Sequence, residues 1–173
     1  FFEVALNSEH GLKQIAILRD RFGEKCMIGA GTAISVDLAK AAIGAGAQFL
    51  LTPGTPIDVL QYCAKKDIML LPGVFTPGDV ATSLEFGYKT MKLFPAGCAP
   101  KGYLKALKGP YDEANYIAIG GVTIDNINDY FKEGYMGVGL ASNLMPLSVL
   151  KDKNWDLGVS YVQKYVSRVK RRV

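Results

Sequence analysis

The sequence predicts an α/β fold built on parallel strands, a (β/α)8 TIM barrel that lacks its first βα unit in this chain. Short apolar runs alternate with segments of helical spacing, and glycines cluster where the apolar runs end. Strands that alternate with helices in this way are typical of βαβ units around a parallel sheet. An open, doubly wound sheet is the competing fold. However, the sequence lacks the G-x-G-x-x-G turn with a downstream acidic residue that marks a dinucleotide-binding sheet.

The apolar runs locate the strands, and the segments between them locate the helices. Residues 11–21 place apolar side chains on one helical face, and Ser35 is a good N-cap for a helix over residues 36–45. Pro56 and Pro77 stand where a first helical turn would begin, a position that tolerates a missing N–H. The predicted strands start near Phe1, Met27, Phe49, Met69, Met91, Tyr116 and Gly137.

The end of the chain is predicted to hold an irregular segment and a closing helix. Residues 146–157 are expected to be irregular, with Trp155 packed under the helix that follows. The apolar stripe of this closing helix is predicted to consist of Val159, Val162, Val166 and Val169.

Length and composition are those of one globular domain spanning residues 1–173. A hydrophobic fraction of 49% and a charged fraction of 21% are typical of soluble proteins, and no apolar stretch is long enough to cross a membrane. The chain has 173 residues, whereas a complete barrel typically has about 250. It opens on Phe1-Phe2-Glu3 within an apolar run and without Met. The domain is therefore expected to be incomplete at its N-terminus.

The net charge indicates the kind of substrate, and the cysteine content indicates the cellular compartment. The net charge of +4 mildly favours an anionic small-molecule substrate. The basic tail at 170–172 is interpreted as a solvated helix end and not as a nucleic-acid site. Cys26, Cys63 and Cys98 are odd in number and form no C-x-x-C pair. This usage indicates a reducing compartment, and we expect a cytoplasmic protein.

Lys92, within the run from Thr90 to Pro95, is the leading candidate for a catalytic nucleophile. Because strand side chains alternate, Lys92 and Phe94 face the barrel interior if Met91 and Leu93 face the helices. Burial among apolar residues would lower the pKa of the lysine and leave part of it as a neutral amine that can attack a carbonyl. The alternative is a lysine that extends from a strand edge into solvent.

Alternation also places Glu3 and Asn7 on one face of the first strand, opposite Phe2, Val4 and Leu6. An inward carboxylate near an inward lysine could form a structural ion pair. It could equally move protons beside an amine nucleophile. The sequence pattern leaves both interpretations open.

Glycine-rich segments end the last two predicted strands. Gly120 and Gly121 end one, and the segment from Gly139 to Ser142 ends the next. In barrels of this type the loops after the last two strands commonly bind phosphate through backbone N–H groups, and a missing Cβ permits that approach. The alternative is a pair of ordinary strand-to-helix turns.

Several short motifs appear together in an order that closely resembles the 2-keto-3-deoxy-6-phosphogluconate (KDPG) and 4-hydroxy-2-oxoglutarate (KHG) aldolase family, which includes 6-phosphogalactonate aldolases. The resemblance extends from Phe1 to about Met145. The motifs that carry it are Glu3-Val4-Ala5-Leu6, Gly29-Ala30-Gly31-Thr32, Ala45-Gly46-Ala47-Gln48-Phe49, Thr52-Pro53-Gly54, Leu71-Pro72-Gly73-Val74, Thr76-Pro77, Lys92-Leu93-Phe94-Pro95-Ala96 and Gly120-Gly121-Val122.

The resemblance implies a role for each candidate residue. Lys92 matches the Schiff-base lysine, and Glu3 matches the general acid/base that moves protons through a water molecule. Thr32 and Pro53 match positions that line the pyruvate site, and Phe94 matches an aromatic wall of that site. The residues that match the phosphate-binding positions are Gly120, Gly121, Gly139 and Ser142.

The implied reaction is reversible cleavage of a phosphorylated 2-keto-3-deoxy sugar acid to pyruvate and glyceraldehyde 3-phosphate. KHG cleavage to pyruvate and glyoxylate is a further implied activity. Because the iminium ion serves as the electron sink, this chemistry needs no metal and no cofactor. The resemblance also implies a homotrimer acting on small molecules, with no nucleic-acid or membrane partner.

Departures from the family pattern leave the substrate open. Asn7, a candidate substrate-binding residue, stands where gluconate-type members often carry an arginine that holds the pyruvate carboxylate. Ile119 replaces a threonine beside the glycine pair. Asn7 and Gly120-Gly121-Val122 resemble the galactonate branch, whereas Thr52-Pro53-Gly54 and Thr76-Pro77 resemble the gluconate branch. A phosphosugar-binding barrel without turnover and a phosphate-binding barrel isomerase are alternative interpretations.

Overall fold

The computed structural model describes residues 1–170. The chain divides into two compact units, the first from Phe1 to Lys92 and the second beginning at Leu93. Strands alternate with helices in both units. None of the described helices combines the length and the apolar character needed to span a membrane.

The first unit carries a sheet in which β1, β2, β3 and β4 lie side by side in chain order. Each neighbouring pair is parallel, with Glu3 opposite Gly29, Gly29 opposite Phe49 and Leu50 opposite Leu70. The elements of this unit are β1 (Phe2–Ala5), α1 (Gly11–Phe22), β2 (Ile28–Gly31), α2 (Val36–Gly44), β3 (Phe49–Leu51), α3 (Ile57–Lys65), β4 (Leu70–Leu71), β5 (Gly73–Val74) and α4 (Pro77–Glu85), followed by β6 (Thr90–Leu93), whose last residue opens the second unit.

The apolar run predicted to start near Met69 forms two short strands instead of one. β4 ends at Leu71 and β5 begins at Gly73, on either side of Pro72. Proline has no N–H, so it cannot continue the ladder. The Pro72 carbonyl instead accepts a hydrogen bond from the Lys92 N–H at 2.8 Å.

The helix starts follow the predicted signals with one exception. The Ser35 side chain accepts from the Leu38 N–H at 3.3 Å and caps α2, and Pro77 is the first residue of α4. Both predictions are confirmed. Pro56 precedes α3 instead of occupying its first turn. Its backbone is extended, with ψ 108°, and the helix begins at Ile57.

The core of the first unit leaves one face of the sheet free for other side chains. Ile28, Ala30 and Leu50 are fully buried with helix residues such as Ile15 and Leu60. Side chains alternate along a strand, so the opposite face carries the intervening positions of β1 and β2. The candidate acid Glu3 is one of these.

The second unit contains the remaining strands and helices. β7 and β8 are parallel, with Ile117 opposite Gly137 and Ile119 opposite Gly139. The elements are a short 3-10 turn (Ala96–Cys98), α5 (Tyr103–Lys108), β7 (Asn115–Ile119), α6 (Ile127–Glu133), β8 (Gly137–Gly139), α7 (Leu147–Lys151) and α8 (Trp155–Lys170).

The predictions for the end of the chain need correction. Residues 146–157 are not wholly irregular, because they contain α7 and the start of α8. Trp155 is 59% exposed at the first turn of α8 and does not lie beneath the helix. The predicted stripe is right in part. Val162 and Val169 are half-buried, whereas Val159 and Val166 are exposed. Gly158 and Tyr165, seven residues apart on one helical face, are buried. The predicted basic tail falls largely outside the described residues.

Candidate active site

Lys92 is buried in β6, with only 6% of the residue exposed. Its neighbours Met91 and Leu93 are fully buried, so the strand is covered on both faces. Burial lowers the pKa of the Lys92 amine below its usual value, and the negative charge of Glu3 partly opposes this by raising it. The result is an amine with an increased neutral fraction, as a nucleophile requires. The alternative of a solvent-extended lysine does not fit this burial.

Glu3 lies against the glycine that ends β2. A Cβ added at Gly31 would overlap the Glu3 carboxylate. The Glu3 side chain therefore occupies the space that a side chain at position 31 would fill. Together with its electrostatic effect on Lys92, this position places Glu3 on the face of the sheet opposite the apolar core.

Thr32, the residue after β2, has a left-handed backbone with φ 63°. This conformation is unusual for a β-branched residue and costs of order 1–3 kcal/mol, so it persists only where contacts with the surroundings offset that cost. The neighbouring Ala33 N–H donates to the Leu51 carbonyl at 3.1 Å. The Thr32 hydroxyl donates to the Asn7 side-chain oxygen at 3.5 Å. The structure thus brings two of the predicted substrate-binding residues, Asn7 and Thr32, together.

Pro53 follows β3 in a turn held by Thr52. Thr52 is fully buried, and its hydroxyl donates to the Gly54 carbonyl at 2.6 Å and accepts from the Gly73 N–H at 3.1 Å. Sequence reasoning did not identify Thr52 as a functional candidate. The available signal was a hydroxyl residue directly after the apolar run from Phe49 to Leu51.

Backbone requirements explain both members of the glycine pair after β7. Gly120 has φ 88°, and a Cβ there would lie 3.1 Å from the Phe94 ring. Gly121 has φ 83°, and a Cβ there would lie 2.8 Å from the Gly97 Cα. The Gly97 N–H donates to the Gly120 carbonyl at 2.8 Å. These contacts demand glycine whether or not an anion binds, so the pair alone does not indicate a phosphate site.

Ser142 and the loops after β7 and β8 border an open cavity of about 390 Å³ in the second unit. The Tyr165 hydroxyl donates to the Asn143 carbonyl at 2.7 Å, and the Asn143 amide donates to the Val122 carbonyl at 3.2 Å. The first bond joins α8 to the loop after β8, and the second joins that loop to the loop after β7. Gly139 itself faces Ile119, where a Cβ would lie 2.7 Å from a side-chain carbon.

Comparison with known proteins identifies the family. The family model described as "Aldolase: KDPG and KHG aldolase" matches residues 1–160. The chain belongs to this family. Its members are carbon–carbon lyases, so the predicted family and enzyme class are confirmed.

Relatives from two branches of the family are similar to the chain. It is 31% identical over 165 residues to 2-dehydro-3-deoxy-6-phosphogalactonate aldolase of Escherichia coli K12, a match covering 94% of the chain and 80% of the relative. It is 33% identical over 155 residues to 2-dehydro-3-deoxy-phosphogluconate aldolase of Pseudomonas aeruginosa PAO1, with coverage of 88% and 70%.

A solved structure confirms the predicted barrel fold class. The crystal structure of KDPG aldolase from Legionella pneumophila, with pyruvate captured at low pH as a covalent carbinolamine intermediate, matches with a TM-score of 0.85. The sequence identity is 30%, and the match covers 92% of this chain and 78% of the other. The aldolase fold of the family is therefore the fold of this chain.

Proposed function

We propose that this chain is a class I aldolase in which Lys92 forms a Schiff base with a phosphorylated 2-keto-3-deoxy sugar acid. The proposal rests on the burial of Lys92. Burial lowers the pKa of its amine, and the negative charge of Glu3 acts in the opposite direction on the same pKa. The products are pyruvate and glyceraldehyde 3-phosphate. The carbinolamine named in the Legionella structure supports the same type of intermediate for this chain.

The mechanism starts with attack of the neutral Lys92 Nζ on the substrate C2 carbonyl. The carbinolamine loses water to give an iminium ion, which draws electrons from the C3–C4 bond as that bond breaks. Glu3, acting through a water molecule, takes the proton of the C4 hydroxyl and the aldehyde leaves. The enamine then gains a proton at C3, and hydrolysis releases pyruvate and the free amine. Every step uses groups of this chain, water and substrate.

The other candidate residues are assigned to binding. Asn7 and Thr32 bind the pyruvate carboxylate, and their mutual hydrogen bond supports this. Pro53 and Phe94 supply apolar walls, and Gly120, Gly121, Gly139 and Ser142 form the phosphate loops. The galactonate epimer is the second candidate substrate, favoured by Asn7 and by the similarity to the Escherichia coli galactonate enzyme.

Borohydride trapping with pyruvate tests the proposed function. An active amine should become irreversibly modified, and peptide mapping should place the added mass on the peptide that contains Lys92. A barrel that binds phosphosugars without turnover, or an isomerase, would show no pyruvate-dependent modification.

Ser142→Ala tests the phosphate loop. Loss of a hydrogen bond to a charged group costs about 1.5–3 kcal/mol, so kcat/KM for the phosphorylated substrate should fall about 10- to 100-fold. Cleavage of 4-hydroxy-2-oxoglutarate, which has no phosphate, should stay within about threefold. Gly121→Val would not make this distinction, because the Gly97 backbone excludes a Cβ there in any case.

The matched control is Ser167→Ala, an exposed serine on α8. It should leave cleavage of both substrates unchanged. Equal losses of both activities in Ser142→Ala would show that Ser142 supports the loop and does not bind phosphate.

We also propose a cytoplasmic homotrimer. Exposed apolar side chains on outer helices of the second unit support an assembly, among them Leu147, which is 70% exposed, and Trp155, which is 59% exposed. Sedimentation should give a trimer mass. A monomer that persists as concentration rises would contradict the assembly.

A further inference from the structure

We propose that Thr52 is a positioning residue that holds the Pro53 turn and the backbone beside Lys92 in the geometry required for imine formation. The inference rests on the proposed roles of Lys92 and Pro53. It concerns a side chain that lies outside the set of candidate substrate contacts. Thr52 is fully buried at the end of β3. A buried hydroxyl is costly unless it is hydrogen-bonded, so its bonds indicate what it holds.

The Thr52 hydroxyl uses both its donor and its acceptor. It donates to the Gly54 carbonyl at 2.6 Å, which closes the turn around Pro53. It accepts from the buried Gly73 N–H at 3.1 Å, which fixes the start of β5. One side chain therefore joins the loop after β3 to the strand segment that follows Pro72.

The same segment holds the backbone of the proposed nucleophile. The Pro72 carbonyl accepts from the Lys92 N–H at 2.8 Å, and Pro72 is bonded to Gly73. A Cβ at Gly73 would overlap the Pro53 backbone, so these two segments are in direct contact. A shift of Gly73 relative to Pro53 would therefore change the position of Lys92 relative to the proposed pyruvate pocket.

Loss of the hydroxyl should affect positioning and leave the amine chemistry intact. Misplacement of reacting groups by about 1 Å can cost about 100-fold in rate. A valine at position 52 keeps the shape of threonine but leaves the Gly73 N–H and the Gly54 carbonyl without this partner. Serine keeps the hydroxyl and loses only a methyl group.

The experiment compares Thr52→Val with Thr52→Ser in borohydride trapping at varied pyruvate concentration. We expect Thr52→Val to slow trapping about 10- to 100-fold, with a higher half-saturating pyruvate concentration. Thr52→Ser should stay within about threefold of the parent protein. The pH at which trapping is half-maximal should not move in either variant, because no charge near Lys92 has changed.

Thr55→Val is the matched control, since it removes a hydroxyl from the same loop that bonds to Asp79 at 3.3 Å instead of to β5. It should trap pyruvate at the parent rate. If Thr52→Val does not fold, Thr52→Cys serves in its place, because a thiol is a weak donor of similar size. Peptide mapping separates the two proposals, since modification at another lysine would refute the role of Lys92. Equal trapping rates in folded valine and serine variants, with modification on Lys92, would overturn the role of Thr52 alone.

Discussion

Lys92→Arg should lower aldol cleavage by at least about 10³-fold and abolish pyruvate trapping, as expected when a covalent nucleophile is removed. Arginine keeps the positive charge but cannot be deprotonated in a protein, so it cannot form the imine. The measurement is steady-state cleavage together with borohydride-dependent mass change on the intact protein.

Two further variants separate chemistry from folding. Lys65→Arg changes an exposed lysine at the end of α3 and should leave both readouts unchanged. Lys92→Met removes the amine and should therefore be inactive. It also removes the free-energy cost of burying a charge, so the variant should unfold at a temperature no lower than that of the parent protein. Cleavage within tenfold of the parent in Lys92→Arg would assign the nucleophile to another residue.

Glu3→Gln should slow turnover by about 10² to 10⁴, the usual contribution of a general acid/base, while pyruvate trapping persists. The pH dependence should change in a defined direction. The charge of Glu3 raises the pKa of Lys92, so its removal should lower that pKa further. The neutral amine would then be available at lower pH, and trapping by Glu3→Gln should extend to more acidic solutions than trapping by the parent protein.

Exchange of the pyruvate methyl protons into deuterated water reports the proton transfer directly. Glu9→Gln, a change of an exposed carboxylate near the end of β1, should exchange at the parent rate. Parent-rate exchange in Glu3→Gln would leave Glu3 with a structural ion-pair role. If the pH dependence of trapping were the same in Glu3→Gln and in the parent protein, the charge of Glu3 would have no effect on the pKa of Lys92.

The strands could be predicted because their signals are local. The runs that begin near Met27 and Phe49 become β2 and β3 with only small shifts, since buried parallel strands need uninterrupted apolar residues. The burial of Lys92 was one of two interpretations that the sequence left open, and the structure supports it, since only 6% of the residue is exposed. Glycine positions at strand ends likewise follow from turn geometry.

Other features depend on contacts between residues distant in the sequence and could not be predicted. The positive φ of Thr32 is held by neighbouring segments, and the role of Thr52 appears only when Gly54 and Gly73 are both in place. The exposure of Trp155 was predicted wrongly because helical spacing alone does not show which face of α8 is covered. The break between β4 and β5 at Pro72 could have been predicted in part, because proline has no N–H with which to continue a strand.

Residues 3 and 31 constrain each other's evolution, because they share one small space in the structure. Because the Glu3 carboxylate fills the volume where a side chain at residue 31 would begin, even alanine there would displace the proposed acid. The effects of substitutions at residues 3 and 31 on activity should therefore be strongly non-additive, because the two residues compete for the same space. In a population of related sequences, an enlarged residue 31 should be tolerated more readily where the acid at position 3 has shortened or moved to another strand. The order in which such changes arise is thus constrained by the space that the absent side chain of Gly31 leaves to Glu3.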